Sequence, residues 1–173
     1  MSKSFSVFML AFLIGVSFVQ PNQASAQATK KSVGEKSASP VNDLLSLHIT
    51  KVYTVEGVSN PSFGIKPREG DQIVVADIEG TTTQEMKILI LPEDFNYKMG
   101  GEDLPGIALG LKDRDDRTAW VISGPLVGGS PSGATLRFSD KPKLFSVAFF
   151  VTKDINTFRV YWRKKIVGTA YLK

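Results

Sequence analysis

Along residues 44–50, Leu45, Leu47 and Ile49 alternate with Ser46, His48 and Thr50, the period of two that marks a half-buried strand. The apolar set then changes parity, because Val52 stands between Lys51 and Tyr53. Such a change of phase predicts a bulge or an exchange of faces. Residues 72–78 (QIVVADI) and 86–91 (MKILIL) are apolar on both faces, as in strands at the centre of a packed sheet, and Pro92 stops the second. Residues 143–151 (KLFSVAFFV) are the most hydrophobic run of the expected mature chain and predict a core strand. Shorter strands are expected over 95–99, 107–111 and 118–122, and 157–162 with 166–172 as a closing antiparallel pair. Asn60-Pro61, Pro67-Arg68-Glu69-Gly70 and residues 124–133 (GPLVGGSPSG) read as turns and loops. No window carries the i, i+3, i+4, i+7 recurrence of a long amphipathic helix, and no internal repeat is visible. About seven to nine short strands separated by turns predict an all-β sandwich or barrel.

The amino-terminal segment follows a different pattern. Lys3 precedes an apolar run over 5–19 broken only by serines and Gly15, then Gln20-Pro21-Asn22 and the small residues Ala24-Ser25-Ala26. A short apolar run closed by small residues predicts an export signal over 1–26 cleaved after Ala26, against the alternative of an uncleaved membrane anchor. Residues 27–42 (QATKKSVGEKSASPVN) hold almost no apolar side chain to offset ordering entropy, so they read as a disordered tether. Residues 43–173 remain as one domain. The chain has no cysteine, so an exported form has no disulfide framework, thiolate nucleophile or thiolate metal site, and its stability comes from packing. The expected location is secreted or periplasmic.

Three segments carry a resemblance. They are Lys66-Pro67-Arg68-Glu69-Gly70-Asp71-Gln72 leading into 73–78, then Leu91-Pro92-Glu93-Asp94-Phe95, then Phe149-Phe150-Val151-Thr152-Lys153-Asp154-Ile155 running into 157–160. Their order resembles a telokin-like family of exported bacterial immunoglobulin-type domains of unknown function. Thr152 stands where that pattern has proline, and its small polar turn after the central strand corresponds here to Glu79-Gly80-Thr81-Thr82. The resemblance implies an immunoglobulin-like antiparallel β-sandwich and carries no catalytic motif.

Candidate chemistry is sparse. His48 is the sole histidine, so one imidazole must serve any triad and none is left for a zinc hydrolase; no G-x-S-x-G elbow occurs. His48 therefore reads as a surface residue. Asp113, Asp115 and Asp116 are a loose calcium possibility, with Arg114 and Arg117 as competing charge and a solvated capping turn as the simpler reading. Gly128-Gly129-Ser130-Pro131-Ser132-Gly133 lacks the G-K-[ST] ending of a phosphate loop and reads as a connection. No cofactor is expected.

Charge is uneven: residues 43–135 hold eight Lys or Arg against fourteen Asp or Glu, and 136–173 hold nine against two. That polarity can steer an anionic partner, or acidic and basic strands can lie side by side and neutralise each other. Pairing Trp162 with Ile166 would put Ile166, Gly168 and Ala170 on the core face. Arg159, Tyr161, Val167, Thr169 and Tyr171 would line the outer face, with Arg163, Lys164 and Lys165 in the loop. Arg159, Tyr161, Arg163, Lys164, Lys165 and Tyr171 are thus the candidate binding residues, basic groups beside tyrosines that suit an anionic polysaccharide or an acidic protein, with no nucleic acid expected. The competing reading is an edge hairpin whose charges discourage aggregation. A non-catalytic exported binding protein is the expected function; a small carboxylate-dependent carbohydrate-active enzyme and a structural envelope component are the alternatives.

Overall fold

Alternating apolar residues send one face of strand after strand into a common core. The computed structural model describes residues 28–32, 39–42, 44–112 and 117–172. Its strands are β1 (Ala28–Ser32), β2 (Ser39–Asn42), β3 (Leu45–Val55), β4 (Val58–Ser59), β5 (Gly64–Ile65), β6 (Asp71–Thr82), β7 (Met86–Ile90) and β8 (Phe95–Met99). They continue with β9 (Glu102–Pro105), β10 (Ala108–Lys112), β11 (Thr118–Ile122), β12 (Ala134–Phe138), β13 (Lys143–Thr152), β14 (Thr157–Trp162) and β15 (Lys165–Tyr171). Single 3₁₀ turns occupy Pro92–Asp94 and Pro125–Val127.

All pairings are antiparallel, and the protein is an all-β sandwich. One layer is a large sheet ordered β1-β3-β6-β13-β10-β11, with β2 also on β3. The four-stranded sheet β15-β14-β8-β9 and the β12-β7 ribbon face it. Between them lies the main core, with Ile49, Val74, Ile78 and Val147 from the large sheet meeting Phe138, Phe95, Val160 and Trp162. Aromatic rings knit the layers together: Tyr97 lies 4.9 Å from Phe158 and 5.9 Å, edge-on, from Phe149. A smaller apolar cluster, including Val55, Ile73, Trp120 and Ile122, covers part of the opposite face of the large sheet.

The parity change in β3 is a bulge, located where register shifts between Ile49 and Lys51 against β6. Other expectations need correction. Glu79-Gly80-Thr81-Thr82 is not a turn: all four residues continue β6 and pair with β3. Gly80 permits this, because a Cβ there would lie 2.5 Å from the Phe138 ring. The apolar run at 86–91 is not central either; β7 pairs with β12 in a two-stranded ribbon and leaves Leu89 54% exposed. More strands form than the expected seven to nine. The additions are short, and β9 and β12 mix charged or small residues that dilute the apolar alternation.

Within the stretch read as a disordered tether, residues 28–32 and 39–42 are strands. β1 runs antiparallel to the Val52–Val55 end of β3 and β2 to its Leu45–Leu47 end. An open strand edge offers backbone hydrogen bonds to any extended segment, so pairing there does not need an apolar sequence. Residues 1–26, read as the export signal, and the aspartates at 113, 115 and 116 lie outside the described residues.

Candidate functional site

The closing hairpin builds the candidate site from its turn. β14 and β15 join through Arg163 and Lys164, both left-handed, with φ of 46° and 71°. Two such residues form the turn whose twist suits a two-residue hairpin, normally given to Asn and Gly because a Cβ is strained there. Trp162 therefore pairs with Lys165, not with Ile166 as expected. The register then shifts between Val160 and Tyr161, with Val167 as the extra residue on β15. This bulge exchanges two faces: Val167 is fully buried, whereas Ile166 is 38% exposed beside Tyr161. Beyond it the expected alternation resumes, with Gly168 and Ala170 inward and Thr169 paired with Arg159.

The outer face of this hairpin and β8 encloses an open groove of about 410 Å³, lined by Lys98, Thr157, Arg159, Tyr161, Thr169 and Tyr171, with Phe158 beneath. Arg159, Tyr161 and Tyr171 from the sequence reading thus come together. Lys98 joins them from β8, which no local pattern in the sequence could place there. Its ammonium lies 5.7 Å from the Tyr161 ring centroid and 3.8 Å from Asp103 Oδ1 on β9. Among the described residues Arg159 has no carboxylate partner, so its guanidinium is available to a ligand.

Arg163, Lys164 and Lys165 do not line the groove. Lys164 and Lys165 stand exposed at the tip. Arg163 is committed to the fold: Nε and Nη2 donate to Asp94 Oδ1 and Oδ2 at 3.2 and 3.1 Å, and Nη2 also donates to the Leu89 carbonyl at 3.3 Å. Its guanidinium lies 4.6 Å from the Trp162 ring centroid. Arg137 pairs likewise with Glu85. Two cations of the basic end are therefore spent on carboxylates of the acidic stretch, so the charge polarity read along the chain is partly cancelled in space.

A second polar cluster lies on the opposite face of the large sheet. Ser146 Oγ and the Tyr53 hydroxyl both donate to Asp77 Oδ1, at 2.6 and 3.3 Å. Burial, reinforced by the Asp77 charge, pushes the Tyr53 phenol well above its ordinary range. These residues are far apart in sequence, and only the strand register aligns them. A carboxylate is a weak base for a serine hydroxyl, and the one imidazole is elsewhere: His48 Nε2 faces Glu79 Oε1 at 3.4 Å, half-buried instead of free at the surface. The cluster satisfies a polar group beside an apolar patch. In the loop after β11, Gly129 N–H donates to the Gly124 carbonyl at 2.7 Å, turning a donor back onto the chain.

Among the described residues no group of three or more His, Asp or Glu is placed to hold a metal, and no helix is long and apolar enough to cross a membrane. Neither a protein-family model nor a curated protein matches the chain. Among solved structures it is similar to an uncharacterized β-sandwich protein from Clostridium difficile 630, with 11% identity, covering 89% of this chain and 100% of that one at a TM-score of 0.45. It is also similar to a protein from Bacillus subtilis subsp. subtilis strain 168 provisionally described as a lipoprotein, with 12% identity, covering 80% of this chain and 39% of that one at a TM-score of 0.44. A conserved hypothetical protein from Bacillus anthracis has 14% identity, covering 80% of this chain and 97% of that one at a TM-score of 0.40.

Proposed function

We propose that the protein is an exported, non-catalytic binding module that holds an anionic partner, polysaccharide or protein, on the outer face of its four-stranded sheet. The observation that carries this reading is the open groove in which Arg159 and Lys98 lie among Tyr161, Tyr171 and two threonines. A guanidinium without an internal carboxylate gains more from an incoming anion than one already paired. Screening limits the attraction to roughly 8 Å at physiological ionic strength, so the partner must touch the groove. Export is inferred from the apolar run and the small residues ending at Ala26. Kinship with the telokin-like exported domains is inferred from motif order. It is supported by the meeting of the first and third motifs, where Asp71 pairs with Thr152 and Lys153 N–H donates to the Gly70 carbonyl at 3.0 Å.

The test is binding to anionic and neutral polymers at low and moderate salt, comparing the parent with Arg159→Ser, Lys98→Ser and the tip variant Lys164→Ser/Lys165→Ser. The reading requires salt-sensitive binding that Arg159→Ser and Lys98→Ser weaken. Equal binding by parent and both groove variants would remove the groove as the site. Intact mass of the exported form decides the cleavage.

A further inference from the structure

We infer that the groove takes a linear acidic polysaccharide, its rings against Tyr161 and Tyr171, with Ile166 flanking Tyr161, and its acid groups on Arg159 and Lys98. This rests on the binding reading above and narrows the partner to one class. The first argument is backbone availability. β14 is paired along its length with β15 and over Val160–Trp162 also with β8, so most of its backbone donors and acceptors are used within the sheet. An extended peptide that binds by strand addition needs a free edge, and β14, an interior strand, leaves only the short stretch Thr157–Arg159 without a β8 partner. Recognition here falls mainly to side chains.

The second argument is the order of those side chains. Cross-strand pairs on the outer face run Tyr161 with Ile166, then Arg159 with Thr169, then Thr157 with Tyr171. Successive rows lie roughly 7 Å apart, two residues along a strand. An aromatic-apolar row, a cationic row and a second aromatic row thus follow one another along β14. The bulge at Val167 matters here, because it turns Ile166 outward beside Tyr161. An acidic peptide would use the cations but has no need of aromatic faces on both sides of them. A pyranose chain presents an apolar C–H face to such rings, hydroxyls at its rim and acid groups at regular intervals. The pattern matches that alternation, and the groove is open to solvent along these rows.

The experiment measures binding of the natively processed protein to four probes: polygalacturonate, its fully methyl-esterified form, dextran sulfate and poly-L-glutamate. The ester keeps the rings and removes the charge; polyglutamate keeps the charge and removes the rings. Polygalacturonate or dextran sulfate should bind at least about tenfold more tightly than either control, and whichever is tighter identifies carboxylate or sulfate as the acid group. Tyr161→Ala and Tyr171→Ala should each weaken that binding about tenfold, the scale of one stacked ring, with circular dichroism unchanged. Polyglutamate binding as tightly as both acidic glycans, or both tyrosine variants binding like the parent, would overturn this inference. In either case, Arg159-dependent binding would leave the anion reading intact. Failure of all three anionic probes to bind would remove both.

Discussion

Arg163 and Asp94 are bonded side-on, guanidinium to carboxylate, across sixty-nine positions of sequence. Asp94 Oδ2 also accepts the Leu91 N–H at 3.1 Å, and Arg163 N–H donates to the Asp94 carbonyl at 2.9 Å. The pair ties the tip of the β14–β15 hairpin to the 3₁₀ turn ahead of β8, fixing two elements that line the groove. It also explains how a turn without glycine or asparagine closes. Left-handed backbone at a residue with a Cβ costs on the order of 1 kcal/mol, and the latch offsets it at Arg163.

Arg163→Ala should therefore lower unfolding free energy by about 1–2 kcal/mol, a modest figure because the side chain is half exposed and the ion pair partly screened. Lys164→Gly should do the reverse, adding about 0.5–1 kcal/mol by relieving φ without removing a latch contact. Urea denaturation of both variants measures the two signs. A stable Arg163→Ala protein would show that the turn holds itself.

Strands with an uninterrupted alternation were legible from sequence: 95–99 and 157–162 match β8 and β14 residue for residue, and 118–122, an apolar run, coincides with β11. The bulge in β3 was legible because Val52 breaks parity inside a long pattern. The bulge in β15 was not, because Ile166 and Val167 are both apolar and either can face inward. Their order follows the turn, where Arg163, latched to Asp94, and Lys164 adopt φ values that glycine would normally supply. That one-residue difference turned Ile166 outward beside Tyr161, while Arg163 is held at the tip by Asp94. Lys98 was unreadable for another reason: its place beside Tyr161 comes from β8 pairing with β14, a contact between distant segments.

Gly80 is fixed by close approach. A Cβ there would lie 2.5 Å from Phe138 and 2.9 Å from Leu47, both fully buried. Neither neighbour can retreat without disturbing the main core. Gly80→Ala should cost about 1–3 kcal/mol, as other forced overpacking does, and lower the thermal midpoint. An unchanged midpoint would mean that Phe138 has room to move.

Deleting residues 27–42 should lower the thermal midpoint by a few degrees and promote self-association. β1 and β2 occupy the outer edge of β3, and removing them leaves a long strand edge bare. Calorimetry and size-exclusion chromatography of parent and truncated protein read the two effects. A truncated protein that melts and elutes like the parent would restore the tether reading.

Alkali should destabilise the fold. Burial raises the Tyr97 phenol, and burial with the Asp77 charge raises that of Tyr53 further. Each phenol ionises more readily in the unfolded chain, near pH 10, than in the native one. The native state thus holds more protons above that pH. Stability from these groups is complete below about pH 10 and falls as pH rises towards the raised native values. Denaturation midpoints across that range should decline, and Tyr53→Phe should flatten the decline. An equal slope in parent and variant would remove Tyr53 as a cause.

Asp103 should act as a built-in competitor for the groove. Its carboxylate lies 3.8 Å from Lys98 Nζ, with both side chains more than half exposed, so the pair is loose and contributes little to stability. A bound anion must share or displace that ammonium, and an acidic side chain beside the site also repels it. Asp103→Asn preserves shape and removes the charge. It should leave the thermal midpoint within a degree or so of the parent and strengthen binding of an acidic polymer about two- to fivefold, with the gain shrinking as salt rises. The double variant Asp103→Asn/Lys98→Ser separates the causes. If Asp103 acts through Lys98, the gain disappears in the double variant. If it acts by repelling the ligand directly, the gain persists there. Unchanged affinity in Asp103→Asn at low salt would place the anion away from Lys98 and confine the contact to the Arg159 side of the groove.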